Sequence, residues 1–314
     1  MKSDKKSISF LKNKGMKNVY LLVCMVLFVG CTSSDSIVVK PNLLVIMADS
    51  LSYVDIGVYG QDSVSTTPNI DKLAQEGVCF THGYSVSSNS VSGQYALMTG
   101  KCPWKKAVEE ETITLPEMMK KVGYKTAAIG SWHSEVEQMA EESARQMGFD
   151  YSGGEVDMNL PDCSIYEAMN LISQFKKEPF FLYYGLGGTA VSSTHEEIDE
   201  YIGKLLSCLA DREMLDNTLI VFSSYRSSVD DNNHVPFFVY WKAKISPVVS
   251  DALVSPVDLI ASLGKLVGVS VPEGLDSHEY VNAFMGKSLE AREDLVLEVQ
   301  GEMRRISANS NGRT

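Results

Sequence analysis

The stretch SSNSVSGQYALMTGK, residues 87–101, sets small hydroxyl side chains ahead of an apolar turn that closes on Gly100, the layout of an active-site rim. Ser90 is its candidate nucleophile, and a serine needs an adjacent base, a metal ion or covalent conversion to act as one. Its other reading is a loop serine that caps the helix following it. Two further side chains offer matching chemistry. Asp49 ends the apolar run NLLVIMA (42–48) and places a carboxylate at a strand end. His133, in GSWH (130–133), can serve as a catalytic acid or equally as a hydrogen-bonded structural histidine. Phosphoryl transfer by unmodified Ser90 with zinc needs clustered ligands, and the five histidines at 82, 133, 195, 234 and 278 are scattered along the chain.

The elements that must position these groups alternate between strand and helix. NLLVIMA (42–48) is an unbroken apolar run, as suits a parallel strand buried on both faces. TTPNIDKLAQEG predicts a short helix with Pro68 near its start and Gly77 as its stop. TLPEMMKKVG carries a Thr114–Glu117 capping box and ends on Gly123, and YKTAAIG supplies the next strand. PFFLYYG (179–185), NTLIVFSS (217–224) and VPFFVYW (235–241) read as further strands. HEEIDEYIGKLLSCLADREML, with Ile198, Tyr201, Ile202, Leu205, Leu206 and Leu209 inward, and SPVDLIASLGKLVG (255–268) read as helices. The alternation predicts an α/β fold, a mostly parallel central sheet with helices on both faces, whose ligands sit at the carboxyl ends of the strands.

Residues 16–31, MKNVYLLVCMVLFVGC, have a basic start, about a dozen apolar residues and a cysteine after Gly30, the layout of a signal peptide. The apolar stretch is shorter than the roughly 20 residues that a membrane span requires. Its end resembles a bacterial lipoprotein processing box, which implies cleavage before Cys31, acylation of that thiol and a lipid-anchored protein of the bacterial cell envelope, periplasmic or surface-facing. The expected organisation is a leader over 1–31, a polar tether over 32–39, an α/β domain over 40–270 and a reduced or truncated C-terminal region over 271–314. The formal charge of the full chain is −12, and removing residues 1–31, with six Lys and one Asp, leaves 22 basic against 39 acidic residues, or −17. That balance disfavours nucleic acid as a partner. Of the remaining cysteines, Cys79, Cys102, Cys163 and Cys208 match no metal ribbon and are as readily buried thiols as disulfides.

KPNLLVIMADSLSYVDIGVYGQ, TTPNIDKLAQEGVCFTHGYS, YALMTGK and GYKTAAIGSWH, in this order, resemble the N-terminal half of the sulfatase family of the alkaline-phosphatase superfamily. DNTLIVFSS, HVPFFVYWKAKI and SPVDLIASLGKLVG resemble its later strands and helix, so the likeness covers most of residues 40–287. The resemblance implies a sulfuric-ester hydrolase whose Cys or Ser, in a Cys/Ser-x-Pro-x-Arg motif, is oxidised to formylglycine. It also implies a calcium ion held by an Asp-Asp pair after the first strand and an Asp-Asn pair after a late strand, with lysines, histidines and the motif arginine assisting.

Position by position, most of that chemistry is replaced. Ser90 falls at the nucleophile, Ser92 at the proline and Gln94 at the arginine. The first metal pair becomes Asp49-Ser50 and the second Tyr225-Arg226, leaving one certain carboxylate where a divalent ion wants six or more oxygens. Arg226 is therefore expected to pair with Asp49 in the ion's place. A shifted Asp230-Asp231-Asn232-Asn233 loop is the one rescue, against its reading as a solvated turn. Ser131 stands for a substrate-contacting lysine, His133 is retained, His195 is a doubtful substitute for a family histidine, and Asp55 matches a position read as structural. The expectation is an impaired relative, without cofactor, kept as a binding or scaffolding module for a carbohydrate, a sulfated glycan or a protein. The alternative is an active arylsulfatase-like hydrolase with Ser90 converted to formylglycine and calcium bound.

Overall fold

Seven consecutive apolar-rich positions leave no face for solvent, and β1 (Asn42–Ala48) is accordingly buried at every residue. It lies in mid-sheet, parallel to both β5 (Phe180–Leu186) and β6 (Thr218–Ser224), themselves buried throughout. The computed structural model describes residues 40–60, 66–105, 112–133, 140–153, 164–187, 194–228 and 232–308. The expected leader, Cys31, the tether, Cys163, Asp230 and Asp231 lie outside them. Among the described residues no helix is long and apolar enough to cross a membrane.

The remaining strands of the sheet are β2 (Val78–Gly83), β3 (Lys125–Gly130), β4 (Tyr151–Gly153), β7 (Phe237–Tyr240) and β8 (Val248–Val254), in the order β4-β3-β5-β1-β6-β7-β2-β8. Only β7 runs against its neighbours β6 and β2, so the sheet is mostly parallel, as its sequence pattern requires. The helices are α1 (Pro68–Glu76), α2 (Ser90–Thr99), α3 (Leu115–Lys121), α4 (Ala140–Gln146), α5 (Ser164–Gln174), α6 (His195–Asp211), α7 (Leu259–Val267) and the single turn α8 (Val281–Phe284). Odd positions of β1 (Leu43, Val45, Met47) face Leu97 and Met98 of α2, Met118 of α3 and Leu263 of α7 in one apolar layer. Leu44 and Ile46 face the other, with Ile70 of α1, Ile172 of α5 and Ile202 of α6. Both faces are thus covered.

Local signals behave as the sequence predicts. Glu117 accepts the Thr114 N–H at 3.0 Å while Thr114 accepts from the Glu117 N–H at 3.4 Å, the reciprocal pair that starts α3. The helix expected from Ser255 begins as a tight turn over Pro256–Asp258 before α7 proper. Cys79, Cys102 and Cys208 are buried free thiols. After α8 the chain forms an antiparallel hairpin, β9 (Asp294–Val299) and β10 (Glu302–Ser307), whose Leu295, Leu297, Val299 and Ile306 pack on Tyr84, Val86 and Ala96. That packing sets the hairpin against the segment leading into Ser90.

Candidate active site

β1 and β6 end level, with Ala48 opposite Ser224, so Asp49 and Tyr225 leave the sheet side by side. Main-chain bonds fix this edge: Asp49 N–H donates to Leu186 O (2.9 Å), Tyr225 N–H to Ala48 O (3.0 Å) and Ser131 N–H to Gly185 O (2.9 Å). The carboxyl ends of β1, β3, β5 and β6 therefore hold residues 49, 131, 187 and 225 in a rigid row, the place where open parallel sheets bind ligands.

Ser90 enters that row from α2. The structure corrects its reading as a helix cap: the cap is Asn89, whose side chain accepts the Ser92 N–H at 3.0 Å, and Ser90 is the first helical residue. Its hydroxyl is released from capping and donates to Asp49 Oδ1. The helix comes this close because Gly93 lies on Tyr225, where an added Cβ would stand 3.2 Å from the ring.

Three protein groups converge on Asp49. Ser90 and His133 Nε2, the latter at 3.2 Å, approach Oδ1, and Arg226 lies 3.6 Å from Oδ2. His133 Nε2 is buried at this short approach to the carboxylate. Burial pushes the Asp49 carboxyl up, but His133, Ser90 and the Arg226 charge outweigh it and hold the carboxyl down at about 2. The Arg226–Asp49 attraction is of order 4 kcal/mol at an effective dielectric of about 20. Solvent lowers that ceiling, because 42% of the Arg226 side chain is exposed. The expected pairing of these two residues is present.

Two other substituted positions, Gln94 and Tyr225, turn inward. Gln94 is buried, and its amide clasps the main chain of His133, donating from Nε2 to His133 O (2.9 Å) and accepting the His133 N–H at Oε1 (3.0 Å). The side chain standing where the resemblance puts an arginine thus anchors the histidine. Tyr225 is buried with its hydroxyl on that of Tyr183 at 2.6 Å, and burial raises its pKa well above the ordinary phenol value. Its ring meets His133 edge to face at 5.5 Å. Ser131 O accepts from Tyr183 Oη at 3.3 Å, and Ser50 is half-buried beside Asp49.

These residues do not fit a calcium ion. The four positions supply one carboxylate, one serine hydroxyl, a phenol committed to Tyr183 and a guanidinium, against the six to eight oxygens that calcium takes. Among the described residues no group of three or more His, Cys, Asp and Glu side chains is placed to hold a metal. Of the downstream rescue loop, Asp230 and Asp231 lie outside the described residues, while Asn232 Oδ1 accepts from Arg304 at 3.1 Å and Asn233 Nδ2 donates to Glu298 O at 3.3 Å. His195 lies 3.9 Å from Asp55, not against Asp49, and Asp55 accepts the Ser52 N–H at 2.7 Å and the Ser228 hydroxyl at 2.5 Å.

Sequence reasoning missed two contributors. Tyr183 was legible in principle, since a tyrosine inside a fully buried strand must find a partner for its hydroxyl. Glu298 is an acid in the apolar run DLVLEV. Its Oε2 accepts from Ser87 Oγ (2.8 Å), its main-chain oxygen from Ser88 N–H (3.0 Å), and Ser87 Oγ in turn accepts the N–H of the cap residue Asn89 (3.1 Å). The hairpin thereby fixes the segment before Ser90.

Comparison with known proteins agrees with this architecture. A family model described as Sulfatase matches residues 41–191 and 188–269. An N-acetylgalactosamine-6-O-sulfatase of Bacteroides thetaiotaomicron is 25% identical, over 82% of this chain and 79% of that protein. A solved structure from work on glycosaminoglycan metabolism by Bacteroides thetaiotaomicron superposes with a TM-score of 0.76 at 23% identity, covering 85% of this chain and 86% of that one. Ps i-CgsB, solved in complex with k-i-k-neocarrahexaose, gives a TM-score of 0.69 at 22% identity, over 85% and 81% of the two chains.

Proposed function

The chain belongs to the sulfatase family, and from that premise we propose that it is a non-hydrolytic member, a binding or scaffolding module for a carbohydrate. The observation that carries this reading is the closure around Asp49. The hydroxyl at the nucleophile position is bonded to the carboxylate at the metal position, and Arg226 faces that carboxylate's other oxygen. The Ser90 hydroxyl donates to a carboxylate held below the ordinary carboxylate range, which makes Asp49 a weak base toward it. Gln94, bound to the His133 main chain, offers no charge to orient a nucleophile.

A carbohydrate is favoured as the ligand because the relatives act on or bind sugars: one is an N-acetylgalactosamine-6-O-sulfatase and another was solved with an oligosaccharide. A sulfated glycan is the form of that ligand matching the family. The active alternative needs calcium and an aldehyde at residue 90. Mass spectrometry of the Ser90 peptide tests both: an unmodified serine is expected, and loss of two hydrogens from that residue, with turnover of an aryl sulfate abolished by Ser90→Ala, refutes the reading. We further propose envelope anchoring through acylated Cys31, supported by the leader pattern over 16–31. Metabolic labelling with an alkyne fatty acid should mark the protein and leave Cys31→Ser unmarked.

A further inference from the structure

We propose that Arg226 is the resident cation of this site and makes it a metal-independent receptor for singly charged oxyanions. The inference rests on the non-hydrolytic reading above and adds the charge class of the ligand.

The main chain of Arg226 is pinned. Its carbonyl accepts the Leu51 N–H at 3.2 Å and the Ser224 hydroxyl at 2.9 Å, so the residue is held at the joint end of β1 and β6 and does not reach in from a loose loop. Its side chain is not saturated. One nitrogen approaches one Asp49 oxygen at 3.6 Å and, with 42% of the side chain exposed, guanidinium N–H groups remain for a second, incoming acceptor. Beside it lies the buried Nε2 of His133, 3.2 Å from Asp49 Oδ1.

Charge counting sets the class. Asp49 contributes one negative charge and Arg226 one positive charge; with either protonation state of His133 the cluster carries no more than a single net positive charge. A divalent ion would raise that by two. The cluster is therefore matched to a group bearing one negative charge, such as a sulfate monoester or a carboxylate, and mismatched to a phosphate monoester, which carries about −1.5 to −2 near neutral pH. An oxyanion that takes the free guanidinium edge leaves Asp49 bonded to Ser90, so binding requires neither release of the carboxylate nor a metal.

The test is calorimetric titration of the full chain with 4-nitrophenyl sulfate and 4-nitrophenyl phosphate, each in EDTA and in calcium. Expected are equal sulfate-ester affinities in the two buffers, weaker binding of the phosphate ester, and a loss of about tenfold in Arg226→Gln, the scale of one charge-assisted hydrogen bond. Arg226→Lys should recover part of that loss, and unchanged thermal melting should certify both variants as folded. Affinity that appears only with calcium, equal binding of the two esters, an unaffected Arg226→Gln, or no binding of either ester each overturns the proposal. Release of 4-nitrophenolate in EDTA would instead refute the non-hydrolytic reading while leaving metal independence intact.

Discussion

Arg292 meets Asp258 through two parallel hydrogen bonds of 2.7 and 2.6 Å in the interior, whereas Arg226 approaches Asp49 with one nitrogen at 3.6 Å where the sheet opens to solvent. The interior pair is the more fully bonded. Arg292 also donates to Asp276 O at 2.6 Å, and Asp258 accepts the His278 N–H at 2.9 Å. Burial works against the Arg292 charge, but Asp258 more than offsets it and raises the guanidinium pKa. Asp276 continues the cluster to the Cys102 N–H (2.7 Å) and Lys105, joining the segment after α7 to the end of α2. With both Asp258 oxygens and three Arg292 N–H groups bonded in the interior, such a pair specifies a joint. At the sheet edge the same two residue types meet through one longer contact with the guanidinium 42% exposed, against 10% in the interior, and that openness separates a recognition site from a structural one.

The comparison can be broken by mutation, beginning with the interior. Arg292→Met should destabilise the fold by about 3–5 kcal/mol, because Asp258 would remain as a buried uncompensated charge; urea unfolding measures it, and a loss below about 1 kcal/mol would equate the two pairs.

Asp49→Asn comes next, at about 2 kcal/mol or less near neutral pH, from a carboxyl held at about 2 against an ordinary 3.8. The folded-state pKa is depressed, so this contribution is complete above about 4 and disappears as pH falls through 2. Unfolding midpoints of wild type and Asp49→Asn should therefore differ at pH 6 and converge toward pH 2. Gln94→Leu removes two bonds to the His133 main chain and should cost about 1–2 kcal/mol, with a displaced His133 imidazole resonance in NMR spectra. Smallest is Arg226→Gln, at under about 1 kcal/mol of stability, even though it should weaken oxyanion binding most. A stability loss near that of Arg292→Met would contradict the recognition role.

Much of this is legible in the amino-acid sequence. The uninterrupted runs 42–48 and 217–224 could only be interior strands, and the Thr114–Glu117 spacing fixed a helix start, because both rest on local stereochemistry. The Asp49–Arg226 pairing followed from charge once the resemblance aligned positions 49 and 226. The edges were harder: β8 and the β9–β10 hairpin carry charged residues such as Asp251, Glu302 and Arg304 that mask their alternation. Three contacts were out of reach for a different reason. Gln94 on His133, Tyr225 on Tyr183 and Ser87 on Glu298 join residues 39, 42 and 211 positions apart, and only the fold specifies such partners.

The Ser87–Glu298 bond has a temporal consequence. At ribosomal speeds of about 5–20 residues per second, the two ends of a 211-residue separation are synthesised roughly 10–40 s apart. Without β9 the serine segment lacks that clasp. Assembly of this edge is thus a long-range event, in which the hairpin clasps the segment before Ser90.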